Sequence, residues 1–277
     1  MSAGAVIAST ARGRPKGMSP RTETTLRIVA PIAVGLIVLG IWQFLVSVVG
    51  VSDYLLPSPA SIIEAFVASW DSIVQATIIT GTNALIGLVL GSILGILLAA
   101  LAARWRAVDR MSAPVVAMLA VVPIVALAPV LNSMFGADSQ FGRQAIATLA
   151  SFVPVFLNTL RGFRQTVPVH RDLMKAYAAA PGQVLRTLTL PTARPFILTG
   201  IRIASSLAVI SALVAEYFGG PRGGLGSLIS TSAASSAYAR PWAYVVASIA
   251  LGLVFYLATL ALERLLQRHT PQVRRRP

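Results

Sequence analysis

The sequence predicts an all-α fold, a polytopic membrane bundle of about six transmembrane helices with an amphipathic helix on one face and a bent helical loop on the other. Three observations carry it. Of 277 residues, 56% are hydrophobic and 12% charged, and the mean hydropathy of +0.76 is well above that of a soluble domain. Several apolar stretches reach the roughly 20 residues that a helix rising ~1.5 Å per residue needs to cross a hydrocarbon core about 30 Å thick. The basic residues cluster between alternate stretches, so the net charge of +14 reads as membrane topology and not as a nucleic-acid footprint.

The apolar segments run over 28–50, 78–102, 113–135, 144–162, 196–217 and 243–263. An even number returns both termini to one side. On that assignment the inner side holds five Lys and Arg up to Arg27, three from Arg104 to Arg110, seven from Arg161 to Arg202 and five from Arg264 onward, 20 of the 23. Arg143, Arg222 and Arg240 fall outside, together with Asp53, Glu64, Asp71, Asp138 and Glu216. The asymmetry orients the chain as a multi-pass protein of the cell (cytoplasmic) membrane with both termini inside. Residues 1–26, polar and carrying Arg12, Arg14, Lys16 and Arg21, are expected to be a disordered tail; 27–266 form the transmembrane domain and 267–277 a basic tail.

After the first span, Ser58 can cap a helix that has Pro59 in its first turn, and Ile62, Phe66 and Trp70 then repeat on one face. This outer amphipathic helix is expected to pack at the membrane interface. The second span carries Gly87, Gly91 and Gly95, a smooth stripe that lets another helix approach closely. Pro123 and Pro129 in the third span and Pro154 in the fourth interrupt helical bonding, which lipid tolerates only where protein or a wet cavity re-satisfies the backbone. These kinks either border a pathway or are braced by neighbouring helices. The stretch Gly219-Gly220-Pro221-Arg222-Gly223-Gly224-Leu225-Gly226 bends freely and is either a plain turn or a loop that reaches a partner or plugs a pathway.

The longest inner segment, 171–195, places Leu173, Tyr177, Ala180, Val184 and Leu188 on one helical face. Pro181-Gly182 is expected to bend that face into two short helices, and Leu190-Pro191 to end the second. Such a pair suits either a groove on a soluble partner or the membrane surface. The segment resembles the cytoplasmic loop of binding-protein-dependent ABC importer permeases, whose pattern is E-A-A-x-x-x-G with L-P eight residues on. Ala178, Gly182, Leu190 and Pro191 match in order and spacing, while Ala176 stands where the family has glutamate and Tyr177 where it has its first alanine.

The resemblance extends over about 54–264, through Leu56-Pro57-Ser58-Pro59, Val122-Pro123-Ile124, Phe152-Val153-Pro154, Gly200-Ile201-Arg202 and Ala215-Glu216, and is greatest to the nitrate/sulfonate/taurine-type branch. It implies a channel-forming subunit without its own ATPase site. Its partners would be a second permease subunit, often identical, two ATP-binding cassette subunits that bind ATP and Mg, and an extracytoplasmic binding protein delivering an oxyanion, sulfonate or small nitrogen heterocycle. It also implies that Ala176, Tyr177, Ala178, Pro181, Gly182, Leu190 and Pro191 form the ATPase-coupling loop. The only lysines, Lys16 and Lys175, follow Pro15 and Met174, so no Gly-Lys-Ser or Gly-Lys-Thr phosphate loop is present.

Candidate pathway residues are the polar groups within the spans: Asn83, Asn132, Ser151, Asn158, Ser205, Ser206, Ser211 and Glu216. Each serves either a pathway or an interhelical hydrogen bond, and Glu216 either gates a cavity or faces water. The chain has no cysteine, and His170 and His269 have no metal-ligand spacing, so neither disulfides nor a metal site is expected. An ion-gradient-driven secondary transporter is the alternative, but the inverted repeats it normally shows are not found. An intramembrane enzyme would need a nucleophile with its base, and no histidine falls in a span.

Overall fold

The structure, a computed structural model, describes residues 20–136, 139–219 and 223–267. The expectations for residues 1–19 and 268–277, for Asp138 and for Gly220, Pro221 and Arg222 lie outside the described residues. Among those described the fold is entirely helical. The chain divides into two compact units, the first ending at Pro59 and the second starting at Ala60. In the first, helix α1 (Pro20–Ser47) begins inside the expected tail, and the indole N–H of its Trp42 donates to the carbonyl of Pro57, beyond the helix end, at 3.1 Å.

The second unit contains α2 (Pro59–Ala68), α3 (Trp70–Arg104), α4 (Arg106–Val121), α5 (Ile124–Phe135), α6 (Phe141–Arg164), α7 (Pro168–Ala176), α8 (Pro181–Val184), α9 (Leu190–Phe218), α10 (Leu225–Ala234) and α11 (Ala239–Gln267). With α1, five helices are long and apolar enough to cross a membrane: Val29–Ser47, Trp70–Arg104, Phe141–Arg164, Pro181–Phe218 and Ala239–Leu266. The third expected span is not one helix. Its two halves, α4 and α5, meet at 100° and make a sixth span only if the bent pair is counted as one. The cause is local, because Val122 before Pro123 is driven to extended backbone (ψ 123°) and the apolar run hides the break.

Helix α2 forms as expected, but its face turns inward: Ile62 is buried and Phe66 packs on the core, while Ile63 and Val67 are exposed. Trp70 opens α3 instead of closing α2, its ring 5.8 Å from that of Phe66. Helices α3, α6 and α9 are the centre of the bundle. Their cores are Ala84, Ala147, Val155, Ala204 and Ala208 toward one end, and Ala99, Phe156, Leu160, Phe163 and Ala193 toward the other, so α6 runs parallel to α3 and antiparallel to α9.

Small residues make this contact close. A Cβ added to Gly87 would lie 2.3 Å from Ala147 Cβ, one on Gly91 2.6 Å from the Thr148 carbonyl, and one on Gly95 3.0 Å from the Phe152 carbonyl. Where backbone approaches backbone so nearly, dispersion replaces the hydrophobic drive that lipid removes. The outward faces remain apolar, as with Ile93 and Leu97 of α3 and Ile249 and Leu253 of α11, all exposed. That pattern fits a lipid solvent.

Candidate functional site

The inner segment folds as two arms about an elbow, displaced from its expected place. Helix α7 ends at Ala176, Tyr177 is its cap, and the turn is made at Ala178, whose φ of 49° lies in the left-handed region. The Ala178 N–H donates to the Lys175 carbonyl at 2.8 Å and the Ala179 N–H to that of Met174 at 3.0 Å, closing the end of α7. Pro181 does not break a helix but starts one, since a proline at the first helical position loses no bond. Gln183 reaches back and accepts from the Ala180 N–H at 2.9 Å.

From Pro181 the chain stays helical to Phe218, 38 residues, or roughly 57 Å. Leu190-Pro191 therefore opens α9 where a helix end was expected. The chain passes Pro191 by widening to a π-helix over Leu185–Thr189, which relieves the clash of the proline ring with the carbonyl four residues back. The face marked by Leu173 and Tyr177 is bare: Tyr177 is 76% exposed. Among the described residues, no atom lies within 4 Å of where a Cβ on Gly182 would be. A hollow of about 600 Å³ lies behind the elbow, lined by Ala100 and Arg104 of α3, Phe163 of α6, and Arg171, Pro181 and Gly182.

The polar candidates separate into four groups. Ser151 donates to the Ala147 carbonyl and Asn158 to that of Pro154, each at 2.8 Å and within its own helix. Ser205 donates to the Arg202 carbonyl at 2.7 Å and lies 3.1 Å from Thr259 Oγ1 of α11, one turn from the Arg202–Glu263 ion pair at 3.0 Å. Ser211 is buried, and Ser206 lines an apolar groove of about 410 Å³ with Ile210, Tyr217 and Ile249.

Asn83 and Glu216 are brought together at the end of the bundle opposite the elbow. Glu216, expected to gate a cavity or face water, is wholly buried; it accepts from Thr80 Oγ1 at 2.7 Å and Asn83 Nδ2 at 3.2 Å. Asn132 is buried close by, 8% exposed, and its Nδ2 finds no hydrogen-bond partner among the described residues. Gly219 accommodates it, since a Cβ there would be 2.4 Å from that nitrogen.

Residues 87–271 match the family described as binding-protein-dependent transport system inner membrane component. The chain belongs to this family. Among its relatives, the formylaminopyrimidine transport permease protein ThiX of Halalkalibacterium halodurans is 34% identical over 190 residues, 68% of this chain and 75% of that protein. The riboflavin transport system permease protein RibX of Chloroflexus aurantiacus is 34% identical over 263 residues, covering 91% and 95%. The taurine transport system permease protein TauC of Escherichia coli is 26% identical over 243 residues, covering 85% and 86%. In fold the chain is similar to an amino acid ABC transporter, with TM-score 0.57 at 14% identity over 79% of this chain and 99% of the other. It is also similar to the inward-facing MetNI methionine ABC transporter, with TM-score 0.53 at 18% identity, covering 71% and 94%.

This permease is thus a multi-pass transport subunit of an ABC importer. Sequence reasoning missed Thr80, Gln140, Arg143 and Gln144. Arg143 was assigned to an outer loop, yet it lies in the first turn of α6, fully buried, with Nη1 donating to Gln140 Oε1 at 3.0 Å. The one signal available was the occurrence of opposite charges, Arg143 and Glu216, near the same expected end of two spans.

Proposed function

We propose that the elbow at Tyr177–Pro181 receives force from a separate ATP-hydrolysing subunit and that the Pro181–Phe218 helix carries it through the membrane. The supporting observation is the continuity of that helix, which joins an exposed apolar elbow at one end to the buried Glu216 at the other. Ala176, Tyr177, Ala178, Pro181, Gly182, Leu190 and Pro191 make up the coupling loop, and both termini share its cytoplasmic side. Two permease subunits, identical in the simplest assembly, pair with two ATP-binding cassette subunits, which hold ATP and Mg, and with an extracytoplasmic binding protein.

ATP-driven closure of the cassettes rotates the spans and exposes the cavity to each side in turn. The polar residues Asn83, Asn132, Ser151, Asn158, Ser205, Ser211 and Glu216 border or brace the pathway. The substrate is a small solute. Nitrogen heterocycles stand first, because the two relatives at 34% identity carry names that specify a formylaminopyrimidine and riboflavin, with sulfonates and oxyanions after them.

Co-purification from native membranes tests the assembly: an ATPase subunit and a binding protein should accompany the permease, and a thermal-shift screen of that binding protein then identifies the solute. Gly182→Trp tests the docking face. Among the described residues nothing opposes a side chain at Gly182, so the variant should insert and melt like the parent. Its binding-protein-stimulated ATP hydrolysis should fall about tenfold or more, as when an interface centre is obstructed. Full stimulation in that variant would remove the elbow from the docking site.

A further inference from the structure

A buried carboxylate is tolerated only where its oxygens are hydrogen-bonded and its charge is answered. Glu216 meets this by joining two helices. Its Oε2 accepts from Thr80 Oγ1 at 2.7 Å and from the Gly226 N–H at 3.2 Å, and its Oε1 accepts from Asn83 Nδ2 at 3.2 Å. Thr80 Oγ1 also accepts from the Leu225 N–H at 2.9 Å. Leu225 and Gly226 are the first residues of α10, whose leading N–H groups have no acceptor within their own helix. A carboxylate from α9 and a hydroxyl from α3 therefore supply what the start of α10 lacks, with negative charge at the positive end of its dipole.

The glycines are the room this contact needs. A Cβ on Gly224, whose φ is 104°, would lie 2.5 Å from the Glu216 carboxyl, and one on Gly226 would lie 2.2 Å from the Leu213 carbonyl. Helix α6 joins the same network: Gln140 Oε1 accepts from Asn83 Nδ2 at 2.9 Å, and Gln144 Nε2 donates to Asn83 Oδ1 at 3.2 Å. Arg143 Nη1 donates to the same Gln140 Oε1 at 3.0 Å.

We propose that Glu216 is a positioning residue for transport: it clamps α10 across the ends of α3 and α9, so that these ends and that of α6 travel as one body. Its part in transport rests on the importer reading, and the clamp on geometry alone. Opening it in each cycle would strand a buried charge and two helix-end N–H groups away from water. Relative motion is therefore left to the joint where α4 and α5 already meet at 100°.

Hydrogen-bond polarity gives the test. Glu216→Gln keeps the shape but turns an amide N–H toward one of three donors, and adding Asn83→Asp converts that donor to an acceptor. Ser232 of α10, 7% exposed, can be replaced by cysteine in a chain that has none. In membrane vesicles holding the full permease, a water-soluble maleimide should label Ser232→Cys about tenfold faster or more with Glu216→Gln, the shift expected when a bond to a buried charge is lost. Asn83→Asp should return the rate to within about threefold of the parent. If Glu216→Gln does not reach the membrane, Thr80→Val should give the same rise.

An unchanged rate in the single variant, or a double variant that labels as fast, overturns the clamp. In the assembled complex, binding-protein-stimulated ATP hydrolysis should fall with the single change and recover with the double. Stimulation that stays full while labelling rises overturns the role in transport. Labelling needs no ATPase partner, so failure to co-purify one overturns the importer reading and leaves the labelling result standing.

Discussion

Replacing Gly87 by leucine is expected to unseat α3 from α6 and to leave little folded permease after detergent extraction. The Cβ alone would lie 2.3 Å from Ala147 Cβ and 2.8 Å from the Ala147 carbonyl carbon, and it would meet the Thr148 backbone nitrogen at 3.0 Å. Two of these atoms are backbone, which no rotamer change can move. Accommodation requires the helices to part, and parting also strips contact from the Gly91 and Gly95 positions on the same stripe. Overpacking of a core commonly costs about 1–3 kcal/mol, and with backbone on the far side the upper end or beyond is expected.

The control is Gly40→Leu in α1, where no atom of the described residues lies within 4 Å of the added Cβ. Both changes add the same apolar volume to a membrane helix, so hydrophobicity alone predicts equal outcomes and packing predicts a large difference. Size-exclusion profiles and melting temperatures of the two variants in one detergent decide it. Equal melting temperatures would mean that α3 and α6 do not meet along this stripe.

The glycine stripe shows what a sequence of this kind makes legible. Spans are readable because lipid requires about 20 apolar residues in a row, and close helix contact is readable because small residues, glycine above all, permit it. The break between α4 and α5 was concealed, since Val121, Val122, Ile124 and Val125 keep hydropathy high on both sides of Pro123. Hydropathy averages over a window, whereas a 100° turn needs only four residues.

The Glu216 cluster was hidden for another reason. Its partners Thr80 and Asn83 are 136 and 133 positions away in the chain, and no periodicity connects residues that distant. The glycines at 223, 224 and 226 were visible as bending freedom, yet the use of Gly224 and Gly226 as room for Glu216 appears only when α10 is folded back on α9. In the elbow, Pro181-Gly182 marked the right neighbourhood. The proline begins a helix there, however, and the bend moved to Ala178, a residue type that gives no turn signal.

That alanine supports the second large prediction. Ala178→Pro should abolish coupling while leaving the spans intact. Proline holds φ near −65°, whereas this position has φ 49°, and the change also removes the N–H that donates to the Lys175 carbonyl. The preceding Tyr177 has φ −84° and ψ 11°, and a following proline pushes such a residue toward extended backbone. The elbow must then open and Tyr177 leave its place, although residue 178 lies outside every helix long enough to cross the membrane.

Ala178→Gly is the informative partner. A left-handed alanine carries a penalty of about 1–2 kcal/mol that glycine does not, so this variant should keep the elbow and couple normally. Binding-protein-stimulated ATP hydrolysis should fall about tenfold or more in the proline variant, which corresponds to ~1.4 kcal/mol, and stay near the parent value in the glycine variant. Limited proteolysis between residues 165 and 181 should accelerate with proline only. Should proline and glycine behave alike, the left-handed turn at Ala178 has no part in transmitting force, and the docking geometry must reside in α8 and the π-helical turn that follows it.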